Sequence, residues 1–107
     1  MFDFDREKEW KSVGEGVQRK IMSYNPEMMV VRVKFEKGAI GAEHHHVHTQ
    51  STYVVSGAFE FTIGPDKRVV RSGDTCLMPS QVWHGCVCLE EGELLDVFTP
   101  IREDFLE

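Results

Sequence analysis

Residues 29–36, MVVRVKFE, put Met29, Val31, Val33 and Phe35 on one side of an extended chain and Val30, Arg32, Lys34 and Glu36 on the other. Alternation of this kind is the period of a half-buried strand, because successive side chains of a strand point to opposite faces. Working outward, Phe59, Phe61 and Ile63 alternate in the same way with Ala58, Glu60 and Thr62. Shorter strands are expected at residues 17–24, 51–56, 68–71, 75–78, 83–89 and 94–99. Turn-forming pairs and triplets separate them: Asn25-Pro26, Lys37-Gly38, Ser56-Gly57, Gly64-Pro65-Asp66, Ser72-Gly73-Asp74 and Glu91-Gly92. Only residues 5–10 and 102–106 read as helical turns. Eight or nine short strands without a long helical period predict an all-β protein, an antiparallel barrel or sandwich.

The chain has 107 residues, the length of one domain spanning residues 1–107, and can bury about 65% of its unfolded surface. A composition of 41% hydrophobic and 28% charged residues is that of a globular protein, not of a disordered tail. The net charge of −6 and the lack of a basic run remove the electrostatic drive toward nucleic acid or an anionic membrane. No apolar run approaches the roughly 18 residues of a spanning helix, and Met1 to Lys11 is too charged for a signal peptide. Three cysteines, an odd number, with Cys86 and Cys88 too close to bridge easily, argue against a disulfide framework. A soluble, cytoplasmic domain is expected.

All five histidines fall in two places, His44, His45, His46 and His48 together and His84 alone. On a continuous strand His44, His46, His48 and Gln50 would project to one side, with His45 opposite, and paired imidazoles chelate an ion at about 2.0–2.1 Å. A solvated His-rich edge, or a barrel whose histidines merely fill space, is the competing reading. His48 reads equally as a surface residue or a pocket wall. Cys86 and Cys88 share the parity of His84 and read as small buried hydrophobes in preference to redox groups. Phe59 and Phe61 read as core.

The spacing is the sharper signal. Gly38 is followed after five residues by His44, after one by His46, after three by Gln50 and after six by Gly57; Gly73 is followed after five by Pro79, and His84 lies five beyond it. This resembles the two-part signature of the cupin superfamily, G-x5-H-x-H-x3,4-E-x6-G and G-x5-P-x-G-x2-H-x3-N. Three positions depart from it, with Gln50 for glutamate, Gln81 for glycine and Cys88 for asparagine. The resemblance implies a small jelly-roll barrel with one divalent metal ion at its mouth, held by His44, His46, Gln50 and His84. A neutral amide in place of a carboxylate would leave the ion its full charge, making it a stronger Lewis acid and a better anchor for an anion. Imidazole and amide oxygen leave zinc, nickel, manganese and iron all open.

Leu94, Asp96 and Phe98 share a strand face, so an acid and an aromatic ring project together. Arg102 follows Pro100 and either clamps a carboxylate or pairs with Glu103 or Asp104 at the surface. A closer resemblance bears on these residues. The segments FEKGAIGAEHHHVHTQ (35–50), YVVSGAFEFTIG (53–64), HGCVCL (84–89) and LLDVFTPIREDF (94–105) are similar to the KdgF family of pectin-degradation cupins. That resemblance implies an enzyme converting the 4,5-unsaturated monouronates released from pectin or alginate into linear 5-keto-4-deoxyuronates. It maps the family's metal ligands onto His44, His46, Gln50 and His84, and its Asp, Phe and Arg onto Asp96, Phe98 and Arg102. In the mechanism this suggests, Asp96 is the base or proton shuttle, Arg102 the substrate clamp, Phe98 a wall that orients the ring, and His48 a secondary proton carrier. Cupins of this size also carry the expectation of a homodimer. A metal-dependent dioxygenase, a non-enzymatic sugar-binding module and a structural dimerisation module stay open beside it.

Overall fold

The computed structural model describes residues 1–107 as eight antiparallel strands with a 3-10 turn at each end, Asp5–Glu7 and Glu103–Leu106. The strands are β1 (Lys11–Gly14), β2 (Val17–Asn25), β3 (Met28–Phe35), β4 (Ile40–His44), β5 (Thr49–Ile63), β6 (Asp66–Arg71), β7 (Thr75–Met78) and β8 (His84–Thr99). No helix is long and apolar enough to cross a membrane.

Two long strands organise the fold. β5 and β8 pair along nearly their whole lengths, from Thr49↔Thr99 to Ile63↔His84. The first part of β8 also pairs with β4 and the last part with β3, while the first part of β5 pairs with β7 and the last part with β6. Each long strand therefore belongs to both walls of a jelly roll. One wall runs β1-β2-β3-β8-β5-β7 and the other β4-β8-β5-β6.

This corrects the expectation of separate strands at 51–56 and 59–63, and at 83–89 and 94–99. Ser56-Gly57 and Glu91-Gly92 are not turns. They lie opposite one another where the register shifts between Val54 and Phe59, so they bend two paired strands from one wall into the other, as bulges do. Gly57 has φ +83°, and a Cβ on Gly92 would lie 2.1 Å from the Ser56 carbonyl oxygen. No side chain fits at that crossing.

The inward faces carry the expected alternation. Met29, Val31, Val33 and Phe35 are buried, as are Val54, Phe59 and Phe61. Phe35 and Phe59 meet edge to face across the two walls, with centroids 5.3 Å apart. Complete burial of a ring such as Phe59 contributes about 1.5–3 kcal/mol. Outside the first wall, Asp5 anchors the N-terminal segment. It pairs with Lys20 at 3.0 Å and with Arg32, and Arg32 is itself held in a two-pronged contact by Glu93.

The histidine run departs from expectation. β4 stops at His44 and β5 starts at Thr49, with residues 45–48 forming a loop between them. His44, His46 and Gln50 therefore do not share one strand face, and the loop must bring them together.

Candidate metal centre

His44 closes β4 directly opposite His84, which opens β8. The loop after His44 returns the His46 ring over both, with centroid distances of 5.3 Å to His44 and 4.9 Å to His84. The loop is pinned by the Gln81 main-chain N–H, which donates to the His46 carbonyl at 2.7 Å. Gln81, the residue standing where the cupin motif has glycine, adopts the left-handed conformation that glycine would supply, with φ 67°. Its side-chain oxygen engages His45 Nδ1 at 2.9 Å, and His45 meets Trp83 edge to face. His45 is thus held apart from the other rings.

One potential ligand atom from each of His44, His46 and His84 lies within 4.8 Å of the others, an arrangement able to hold a metal ion. Their tautomers are set by the main chain. Nδ1 of His44, His46 and His84 lies 2.9, 3.0 and 3.0 Å from the carbonyl oxygens of Ala42, His48 and Val82. A carbonyl only accepts, so each Nδ1 carries the proton and each Nε2 presents a lone pair. Orienting contacts of this kind fix metal-binding imidazoles.

Burial pushes the His84 imidazolium down to about 4, reinforced by His44 and His46, and burial likewise lowers His46. The neutral, ligating form is therefore favoured. His84 Nε2 is buried with no hydrogen-bond partner at all.

Gln50, on β5, adds a second sign of a cation. Thr52 Oγ1 donates to Asp96 Oδ1 at 2.6 Å and so accepts from Gln50 Nε2 at 3.0 Å. That leaves Gln50 Oε1 facing His46 Nε2 at 3.1 Å. With the His46 proton on Nδ1, two acceptors point at each other, and the buried His84 lone pair has nothing to accept. A cation resolves both conflicts, so the residues present fit a divalent metal ion.

Asp96 lies in the same chain of contacts, His46–Gln50–Thr52–Asp96. Burial pushes its carboxyl up to about 6, against hydrogen bonds from Thr52 and Gln50 that favour ionisation. Phe98, one inward position further along β8, lies edge to face beneath His46 at 5.9 Å. Arg102 stacks over Phe98 and Phe105 at 5.1 and 4.2 Å, and its guanidinium grips Asp104 at 3.1 and 2.9 Å. His48 is turned to the C-terminal segment, its Nε2 donating to the Ile101 carbonyl at 3.0 Å.

Beside this cluster lies a cavity of about 370 Å³ lined by Arg19, His44, Gln50, Asp96, Phe98 and Arg102, among others. A larger groove of about 670 Å³ lies elsewhere, but it contains Glu36, Glu91 and Glu93 and no imidazole, which makes it a poor seat for an anion. The three cysteines are free and buried, and burial pushes the Cys86 thiol up to about 12, so no thiolate is on offer as a ligand.

Two residues of the site were not singled out from the sequence: Arg19, which lines the cavity, and Thr52, which is buried behind Gln50 and Asp96. Both were legible by parity. Thr52 lies between Gln50 and Val54 on β5, and Arg19 between Val17 and Ile21 on β2, so each occupies an inward position.

Residues 31–98 match the family model of the cupin domain. The chain is 44% identical to the pectin degradation protein KdgF of Dickeya dadantii (strain 3937), over 95% of this chain and 94% of that protein. Among solved structures, KdgF from Halomonas sp. superposes with a TM-score of 0.94 at 41% identity, over 98% of this chain and 99% of the other. An RmlC-like cupin from Shewanella frigidimarina superposes with a TM-score of 0.94 at 40% identity, over 97% of this chain and 94% of that one.

Proposed function

Because the chain belongs to the KdgF family of cupins, we propose that it is a pectin-degradation enzyme that opens and ketonises 4,5-unsaturated monouronates from pectin or alginate. The observation that carries this reading is the juxtaposition of a buried carboxyl of raised proton affinity, Asp96, with a cluster of oriented imidazole lone pairs beside one cavity. His44, His46, Gln50 and His84 would hold one divalent cation, whose Lewis acidity favours negative charge developing on a substrate oxygen.

The remaining work falls to the chain's own side chains. The substrate is a cyclic hemiacetal whose ring oxygen is also an enol-ether oxygen. Asp96 takes the proton of the anomeric hydroxyl; the bond between C1 and the ring oxygen breaks, leaving an aldehyde at C1 and an enolate across C4, C5 and the former ring oxygen. Asp96 then returns the proton to C4, giving the linear 5-keto-4-deoxyuronate with no net gain or loss of atoms. A carboxyl near 6 is well placed to take and return a proton near neutrality. The Thr52 hydroxyl holds the carboxyl in place, and Phe98 walls off water and orients the sugar ring. Arg102 is the candidate clamp for the substrate carboxylate, which would have to displace Asp104 from its guanidinium.

The test is incubation of the purified protein with unsaturated galacturonate. Loss of the conjugated ultraviolet absorbance is followed, the uncatalysed ring opening subtracted, and the product identified by NMR. Linear keto-uronate formed well above background is the expected result; oxygen uptake, or saturable binding without turnover, overturns the reading.

The same reading includes a homodimer in the cytoplasm, where free thiols persist. Tyr53, Val55 and Leu77 are 45%, 41% and 61% exposed, on the outer face where β7, β5 and β8 run side by side. Pairing of that apolar face would remove it from water. Light scattering should return twice the chain mass of 12.3 kDa; a value equal to it at micromolar concentration removes the dimer.

A further inference from the structure

Arg19 occupies a position where the strand pattern calls for an apolar residue. It faces inward on β2 between Val17 and Ile21, opposite Val33 on β3, and it lines the cavity with His44, Gln50 and Asp96. Its guanidinium lies over the Phe105 ring at 3.7 Å, and Arg102 lies over the same ring at 4.2 Å. The two cations are not equivalent. Arg102 is neutralised by Asp104 at 2.9 Å, while Arg19 takes part in none of the ion pairs of the chain. Burial, and next the positive charge of Arg102, act against its cationic form, and Asp104 offsets this only in part; an incoming anion would relieve the cost.

Resting on the functional reading above, we propose that Arg19 binds the carboxylate of the uronate substrate and selects for acid over neutral sugars. A guanidinium offers paired N–H donors in a planar fork that matches the two oxygens of a carboxylate. Stacking on Phe105 holds that plane in place before the ligand arrives, so little freedom is lost on binding. Arg102, the clamp proposed above, stands beside it over the same ring, so the two guanidiniums can share the carboxylate, Arg19 directly and Arg102 once Asp104 is displaced.

The experiment compares Arg19→Gln and Arg19→Lys with the unaltered protein, using galacturonate as a non-reacting acid, galactose as its neutral counterpart and unsaturated galacturonate as substrate. Arg19→Gln should weaken galacturonate binding and raise KM by about 10–100-fold, with a much smaller change in kcat. Arg19→Lys, keeping the charge but not the fork, should fall between the two. Galactose binding and metal content should not move. Equal galacturonate affinity in all three proteins overturns the proposal, as does a parallel loss of galactose binding, which would mean only that the Phe105 wall had loosened. If Arg19→Gln does not fold, the Lys variant alone decides. Should the unaltered protein fail to turn over the uronate yet lose galacturonate on Arg19 substitution, the reaction falls and the carboxylate site stands. Should turnover proceed with unchanged KM in the variants, the site falls and the reaction stands.

Discussion

Replacing Asp96 with asparagine is expected to cut turnover of the unsaturated uronate by about 10²–10⁴-fold, the usual contribution of a general acid–base group. Metal content should be unchanged, because asparagine keeps an oxygen for the Thr52 hydroxyl that holds Oδ1 at 2.6 Å. The same substitution should stabilise the metal-free protein at neutral and higher pH. The folded carboxyl is raised to about 6, above its value in an unfolded chain, so between the two values the native state holds the proton more tightly. Stability therefore falls as pH rises through that window, and the full penalty, on the order of 3 kcal/mol, is present above it. Asparagine carries no such penalty, so thermal melts of the metal-free proteins should separate at pH 8 and converge at pH 4. An Asp96→Asn enzyme with full activity would assign proton transfer elsewhere, and His48 would be the next residue to replace.

The double substitution His44→Ala and His46→Ala should reduce bound metal from about one ion per chain to none, and turnover to the uncatalysed rate. Loss of a residue that merely orients a ligand already costs about 10–100-fold in affinity, so removal of two ligands should exceed that. The barrel should remain folded, since neither ring belongs to the core built from Met29, Val31, Phe59 and their neighbours. Elemental analysis and circular dichroism read the two properties separately. Retained metal would remove the site; a lost fold would give the ion a structural role.

The fold was legible where burial imposes alternation, as in β3, because one face meets the core and the other meets water. It was illegible at Ser56-Gly57 and Glu91-Gly92. A glycine that permits two backbones to cross has the same local signature as one that permits a turn, and only the partner strand distinguishes them. β1 escaped notice because all four of its residues are exposed and so carry no alternation. The cluster of His44, His46 and His84 was legible by spacing, although the strand geometry expected to unite His44 with His46 was wrong; a loop held by Gln81 unites them. That Gln81 would keep the glycine conformation could not be read from its identity. Thr52 and Arg19 share the parity of their inward neighbours, but a polar residue at such a position does not itself show what it faces; that comes from the neighbouring strands.

The order of synthesis gives the place of β8 a consequence. It is the last strand made, yet it is inserted between β3 and β5 and also carries β4. Until it emerges from the ribosome, the hairpins β2–β3 and β5–β6 each end in an unpaired edge, β3 and β5, which carry Met29, Val31, Val33, Phe35, Val54, Phe59 and Phe61 of the core. Such edges invite pairing with other chains. The barrel therefore cannot assemble progressively from its N-terminus. A nascent chain arrested before residue 84 should be open to proteases along its length, acquiring resistance in one step once residues 84–99 are free to enter the sheet. Crowding and chaperone supply during translation, more than the stability of the finished barrel, would then govern how much protein a cell recovers.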